Sequence, residues 1–163
     1  MKRIKISDFK LLQILNRVPF FKLFSPNERA AFFAHSMNFL QCTEGEEIIK
    51  EGCEKNDFFI ILAGSATVYI NEGQDAVAKV EAGYFIGEGA FIASRPRTAS
   101  VVADMETFVI RMDQTDLKRF PASVREKLKD QIINGMAMRI ADMNSKSIKE
   151  PAPEYYNPND EAE

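Results

Sequence analysis

After Thr43-Glu44-Gly45-Glu46 the sequence changes its period, and that change constrains the fold more than any other feature of the chain. Apolar residues stop recurring at helical spacing and fall into short runs separated by glycine, asparagine and aspartate, which is how strands joined by tight turns are written. The pattern predicts strands near 47–50, 57–63, 65–70, 76–81, 98–103 and 107–112, with turns at 52–56, at 71–75 and at Ala82-Gly83. Runs this short suit a small antiparallel barrel or roll closed around its own core.

Helical patterns flank the strands. Ser7 and Asp8 open an apolar stretch over 9–15, and Pro19-Phe20-Phe21 breaks it. Ser25-Pro26-Asn27-Glu28 then supplies a capping serine, a proline at the first helical position and an acid at the third, predicting an amphipathic helix over 29–40. From Thr115 the helical period returns, with Val124, Leu128, Ile132, Met136, Ile140 and Met143 on one stripe. Packing against the roll is the expected use of that stripe, and pairing with a second subunit is the alternative. Phe20, Phe21, Phe32 and Phe33 are expected to pack under the roll. The expected organisation is one domain over 1–146, with N-terminal helices at 7–40, the roll at 43–113 and C-terminal helices at 115–146, followed by an acidic flexible tail over 147–163.

Composition removes several function classes. A single histidine, His35, and two cysteines, Cys42 and Cys53, leave almost nothing from which to build a metal site or a histidine-dependent nucleophile, so no enzyme is expected. The net charge is −3, and residues 149–163 carry one Lys against five acids, so the remainder is nearly neutral. A duplex-binding domain normally carries an excess of Lys and Arg, and nucleic acid is therefore not an expected partner. The longest apolar run, from Phe58 to Gly64, is far short of the ~20 residues a membrane span needs, and Met1 to Lys10 lacks a signal-peptide core. The expectation is a cytoplasmic protein with reduced thiols.

The chemistry concentrates between Gly83 and Val101. Gly87 and Gly89 flank Glu88 at the start of a very short helix, where free N–H groups face outward and a ligand can approach the backbone. Arg97 follows nine residues after Glu88, and its planar fork suits two oxygens of a phosphodiester. A carboxylate repels phosphate, so Glu88 makes sense as an acceptor for sugar hydroxyls while the amides and Arg97 hold the anion. A sugar phosphate is implied.

These residues carry a resemblance. Phe85-Ile86-Gly87-Glu88-Gly89-Ala90, followed by Pro96-Arg97-Thr98-Ala99-Ser100-Val101, resembles the phosphate-binding cassette of the cyclic nucleotide-binding domain family, and the stretches 44–52 and 57–70 are similar to that family's opening strands. The resemblance covers about 18–146 and implies a mainly β, α+β fold: an eight-stranded antiparallel β-roll, jelly-roll-like, with N-terminal helices, a short cassette helix and a long C-terminal helix. It implies that Glu88 binds the ribose 2′-hydroxyl, that Arg97 pairs with the cyclic phosphate, and that the amides of Gly87 and Ala90 complete the cradle. Thr98 and Ala99 match positions touching phosphate or base, and Val68, Val77 and Ala78 match positions around ribose and base. Gly89 departs from the apolar residue common after the Glu and loosens the cassette helix, and Arg95 adds a second positive charge that aids capture or faces solvent.

The implied function is a regulatory sensor whose ligand is cAMP or cGMP. Thr98 favours the guanine base, and cAMP is otherwise the default. Ligand binding would be relayed through the terminal helices to a second copy of the chain or to an effector protein. Three other readings compete with this one. A roll that has lost its ligand would serve as an interaction module. A transcription regulator of the catabolite activator type would need a helix-turn-helix domain after the long helix, which the seventeen residues after Lys146 do not provide, so on that reading the chain is a fragment of such a protein. A cupin-like enzyme would need several inward histidine and carboxylate ligands.

Overall fold

The computed structural model describes residues 1–34, 38–71 and 73–147. Nine strands form two antiparallel sheets among these residues, rather than the eight expected, and two of the nine are only two residues long. One sheet orders β1 (Lys2–Arg3), β2 (Asn38–Cys42), β9 (Thr107–Met112), β4 (Phe58–Ala63) and β7 (Phe85–Ile86). The other orders β3 (Glu47–Ile49), β8 (Ser100–Ala103), β5 (Ser65–Ile70) and β6 (Asp75–Glu81). The helices are α1 (Asp8–Arg17), α2 (Pro26–Ala34), the cassette helix α3 (Glu88–Ala93), α4 (Gln114–Arg119) and α5 (Ala122–Ser147), with a 3-10 turn at Pro19–Phe21. No described helix is long and apolar enough to cross a membrane.

The unbroken apolar run of β4 follows from its place between two cores. Phe59 and Ile61 point into the cluster between the sheets, with Ile49, Ala66, Val80, Ile86, Val101 and Val109, while Phe58, Ile60 and Leu62 point to the helices. A strand buried on both faces loses the polar alternation of a half-buried one. β6 is the opposite case, an edge strand on which only Val80 is buried.

The helical core is largely aromatic. Phe20, Phe21, Phe24 and Phe32 join Leu15, Val18, Phe120, Val124, Leu128 and Ile132 against the sheet, with edge-on pairs such as Phe21–Phe32 at 5.1 Å and a Phe32–Phe120 contact at 4.7 Å. The side chain of Phe33, and His35 altogether, lie outside the described residues.

Two expectations need correction. The helix expected over 29–40 is described only as far as Ala34, and Asn38–Cys42, which that expectation included, is a strand paired along its whole length with β9, Phe39 opposite Ile110. Its sequence carries no turn signal before it, and the free edge of β9 outweighs local helical preference. The stripe on α5 also fails at its far end. Val124, Leu128 and Ile132 are buried and Met136 is partly buried, whereas Ile140 is 58% exposed. Steps of four residues advance about 40° around a helix each time, so a stripe of strict fours rotates off the core after three or four steps. Met143 and the tail expected over 147–163 lie outside the residues whose side chains are described.

Candidate nucleotide-binding site

The cassette is built by a backbone that only glycine accommodates. Gly87 has φ +82° in the left-handed region, and a Cβ there would sit 2.5 Å from Arg97 Nη1 and 2.9 Å from Ile49 Cδ1. The turn delivers the chain into α3, whose first N–H groups have no side-chain cap. α3 is anchored by buried Ala90 and by Phe91, whose ring packs 4.7 Å from Phe58, and Gln114 donates to the Phe91 carbonyl at its far end.

Arg97 is pinned through its backbone to the turn before β4: its N–H donates to the Cys53 carbonyl, and its carbonyl accepts from Gly52 N–H. The strand expected at 98–103 therefore begins only at Ser100, which leaves Thr98 and Ala99 outside the ladder and facing the same hollow as the cassette. That hollow, about 250 Å³, is lined by Val68, Ile86, Gly87, Glu88, Gly89, Ala90, Arg97, Thr98 and Ala99 from the expected set. Arg95 is exposed at its rim beside Gly89. Phe85, Val77 and Ala78 are not in its lining. Phe85 is buried behind the cassette, with its ring against the Cα of Gly135, and Val77 and Ala78 lie on the exposed edge strand β6.

Residues distant in sequence complete the lining: Ile49 and Val101 from the roll, and Met136 and Arg139 from α5. Ile49 and Val101 lie within the stretches that carry the resemblance and Met136 lies on the helical stripe, but nothing in the sequence marked Arg139. Arg139 donates through Nη2 to Glu88 Oε1 at 2.6 Å, and its guanidinium lies 4.9 Å from the Phe85 ring centroid. Arg97 is also engaged. Its side chain is 4% exposed, Nη1 donates to the Gly87 carbonyl at 2.6 Å, and Nη2 donates to the Asp57 carbonyl and to Asp57 Oδ1, the latter at 2.7 Å. Both charged residues thus border one hollow, and each has hydrogen-bond partners within the protein.

Chemically the hollow offers free amides, the guanidiniums of Arg97 and Arg139 with Arg95 at the rim, one carboxylate and an apolar wall of Ile49, Val68, Ile86 and Val101, which suits an anion carried on a sugar with a flat apolar base. Comparison with known proteins gives the same direction. The model of the cyclic nucleotide-binding domain matches residues 39–123. The cAMP-dependent protein kinase regulatory subunit of Colletotrichum orbiculare is 31% identical over 105 residues, 64% of this chain and 27% of that protein, so this chain spans about a quarter of the length of that relative. The regulatory domain of Toxoplasma gondii protein kinase A, solved with cAMP, is 27% identical with a TM-score of 0.60, covering 76% of this chain and 49% of that one. A cyclic nucleotide-binding domain from Methylobacillus flagellatus, at 24% identity and a TM-score of 0.74 over 89% of this chain and 84% of its own, shares the fold. With its cassette, its arginine and more than half of its length accounted for by one family model, the chain belongs to the cyclic nucleotide-binding domain family.

Proposed function

We propose that this chain is a regulatory module that binds cAMP and passes the event to its terminal helices. The observation that carries the reading is the convergence of Arg97, Glu88 and the open amides of α3 on one hollow. In the bound state Arg97 pairs with the cyclic phosphate, the amides at Gly87 and Ala90 share its charge, and Glu88 accepts from the ribose 2′-hydroxyl. The base lies against Val68 and Val101 and under Met136. The kinase regulatory subunits that this chain resembles, and the cAMP-bound Toxoplasma structure, support cAMP over cGMP.

Binding has a conformational consequence because both charged groups have partners within the protein that a ligand would contest. A ligand that takes Glu88 competes with Arg139 of α5, and a ligand that takes Arg97 loosens its hold on the Gly87 carbonyl. Its preference for one arrangement of α5 is what makes the module a sensor, typically at ~1 to 3 kcal/mol. Ile133 and Ile140, each more than half exposed and seven residues apart on one face of α5, form the surface that such a signal would reach. Two free thiols, Cys42 and Cys53, support a reducing, cytoplasmic setting.

Calorimetric titration with cAMP and with cGMP at matched ionic strength tests the reading. Saturable binding of cAMP, tighter than cGMP, is expected, and R97A is expected to lose about 2 to 5 kcal/mol by leaving a partly desolvated phosphate unpaired. Equal affinity in R97A and the parent removes Arg97 from the site, and no heat with either nucleotide removes the function.

A further inference from the structure

Two glycines alternate with Glu88 along the cassette, and a guanidinium lies against the place of each missing side chain. A Cβ on Gly87 would sit 2.5 Å from Arg97 Nη1, and one on Gly89 would sit 3.4 Å from Arg95 Nη2. The two arginines therefore flank the same turn, and both line the hollow. Local backbone brings Arg95 there. Ser94, which ends α3, has φ +47°, one of two non-glycine residues in the left-handed region among those described, and Pro96 disfavours a helical Arg95. The chain doubles back at this point, and the Arg95 side chain reaches Gly89, six residues earlier.

The two arginines differ in what already holds them. Arg97 is buried, with its side chain bonded to Gly87 and Asp57, whereas Arg95 is exposed and, among the described residues, makes no ion pair or side-chain hydrogen bond. The carboxylate of the cassette, Glu88, is taken by Arg139. A guanidinium with its N–H groups unused at the rim of a hollow can meet an anion without giving up a protein partner, losing only water and side-chain freedom. With Nη2 committed to Asp57, Arg97 does not offer its whole fork, and a phosphodiester has two exocyclic oxygens to satisfy. We propose that Arg95 is a second phosphate-binding residue, donating to the exocyclic oxygen that Arg97 leaves, and that Gly89 is the residue that makes room for it. The inference rests on the reading of the hollow as a cyclic nucleotide site.

The test is calorimetric titration of the whole chain and of its R95A, R97K, G89L and G89L/R95A variants with cAMP and with the two diastereomers of its phosphorothioate. Each diastereomer replaces one exocyclic oxygen by sulfur, a weak acceptor. R95A is expected to weaken cAMP about fivefold to tenfold, less than R97A because solvent screens Arg95. The same loss is expected with one diastereomer and almost none with the other, whose sulfur stands where Arg95 would donate. R97K is expected to single out the opposite diastereomer. G89L crowds the guanidinium while removing a glycine from α3, so it is expected to raise the thermal midpoint, to lose as much cAMP affinity as R95A, and to lose no more in the double variant. Unchanged cAMP affinity in R95A overturns the proposal, as do equal R95A losses with both diastereomers, the same diastereomer singled out by R95A and R97K, or additive losses in G89L/R95A. In each of those cases the parent still binds cAMP and the reading of the hollow stands. A parent that binds no cyclic nucleotide overturns that reading and the proposal with it.

Discussion

Gly87 shows how one residue couples the anion cradle to the arginine that serves it. Its left-handed φ turns the chain into α3, its carbonyl accepts from Arg97 Nη1, and its missing side chain leaves the room that this guanidinium and Ile49 occupy. Gly87→Ala places a methyl group within 2.5 Å of Nη1 in a conformation L-residues avoid. The expected result is a stability loss of about 1 to 3 kcal/mol by thermal denaturation, together with at least tenfold weaker cAMP binding by titration. Unchanged affinity would mean that Arg97 has slack the structure does not reveal. Gly87, Glu88 and Arg97 were legible in the sequence because their chemistry lies within eleven consecutive positions, 87–97, of the chain. Asp57 and Arg139 were not, because they reach the site from 40 and 51 positions away, as charges indistinguishable by sequence from those on any solvated surface.

Among the elements, α5 decides whether binding is felt elsewhere, and it reaches the cassette because Gly135 lets it approach Phe85. A Cβ on Gly135 would meet Phe85 Cζ at 2.4 Å. One turn further on, Arg139 stacks on the same ring and holds Glu88. Phe85 is therefore a bearing between cassette and helix, a role its position beside the motif did not disclose. Arg139→Ala is expected to tighten cAMP binding about threefold to tenfold by removing a partly exposed competitor for Glu88, with no gain for the 2′-deoxy analogue, which lacks the hydroxyl that Glu88 would accept. Weaker binding of both ligands would instead make Arg139 the residue that orients Glu88. Six of the nine described strands were legible from their turns, yet the two-residue strands β1 and β7 and the longer β2 were not, and the pairing of β2 with β9 is a property of the assembled sheet rather than of Asn38–Cys42. Likewise the α5 stripe was read correctly only as far as the helix stays in phase with the core.

On the scale of the whole molecule, α2 and α5 are clasped together by a polar contact between Lys127 and Glu28. Lys127 Nζ donates to Glu28 at 2.6 Å and to the Leu23 carbonyl at 3.1 Å, above the Phe32–Phe120 contact. The Lys127 hydrogen bond, with a second from Ser25 N–H, holds the Glu28 carboxyl down at about 2 against an ordinary 4.5. Asp104 is also held below the usual carboxylate range, where hydrogen bonds from Thr67 and Ser65 and the charge of Lys79 outweigh the opposing effect of burial. Both groups bind a proton less readily folded than unfolded, so the stability they contribute is whole above the ordinary carboxylate value and drains away as pH falls toward their folded values. Thermal unfolding followed by circular dichroism is therefore expected to show a falling midpoint between about pH 4.5 and pH 2. The fall should be shallower in Glu28→Gln and in Lys127→Met, and no shallower when the two are combined than in either alone, because each removes the same contact. Parallel pH profiles in parent and variants would mean that solvent screens the pair. The clasp between α2 and α5 would then rest on Phe32, Phe120 and their apolar neighbours alone.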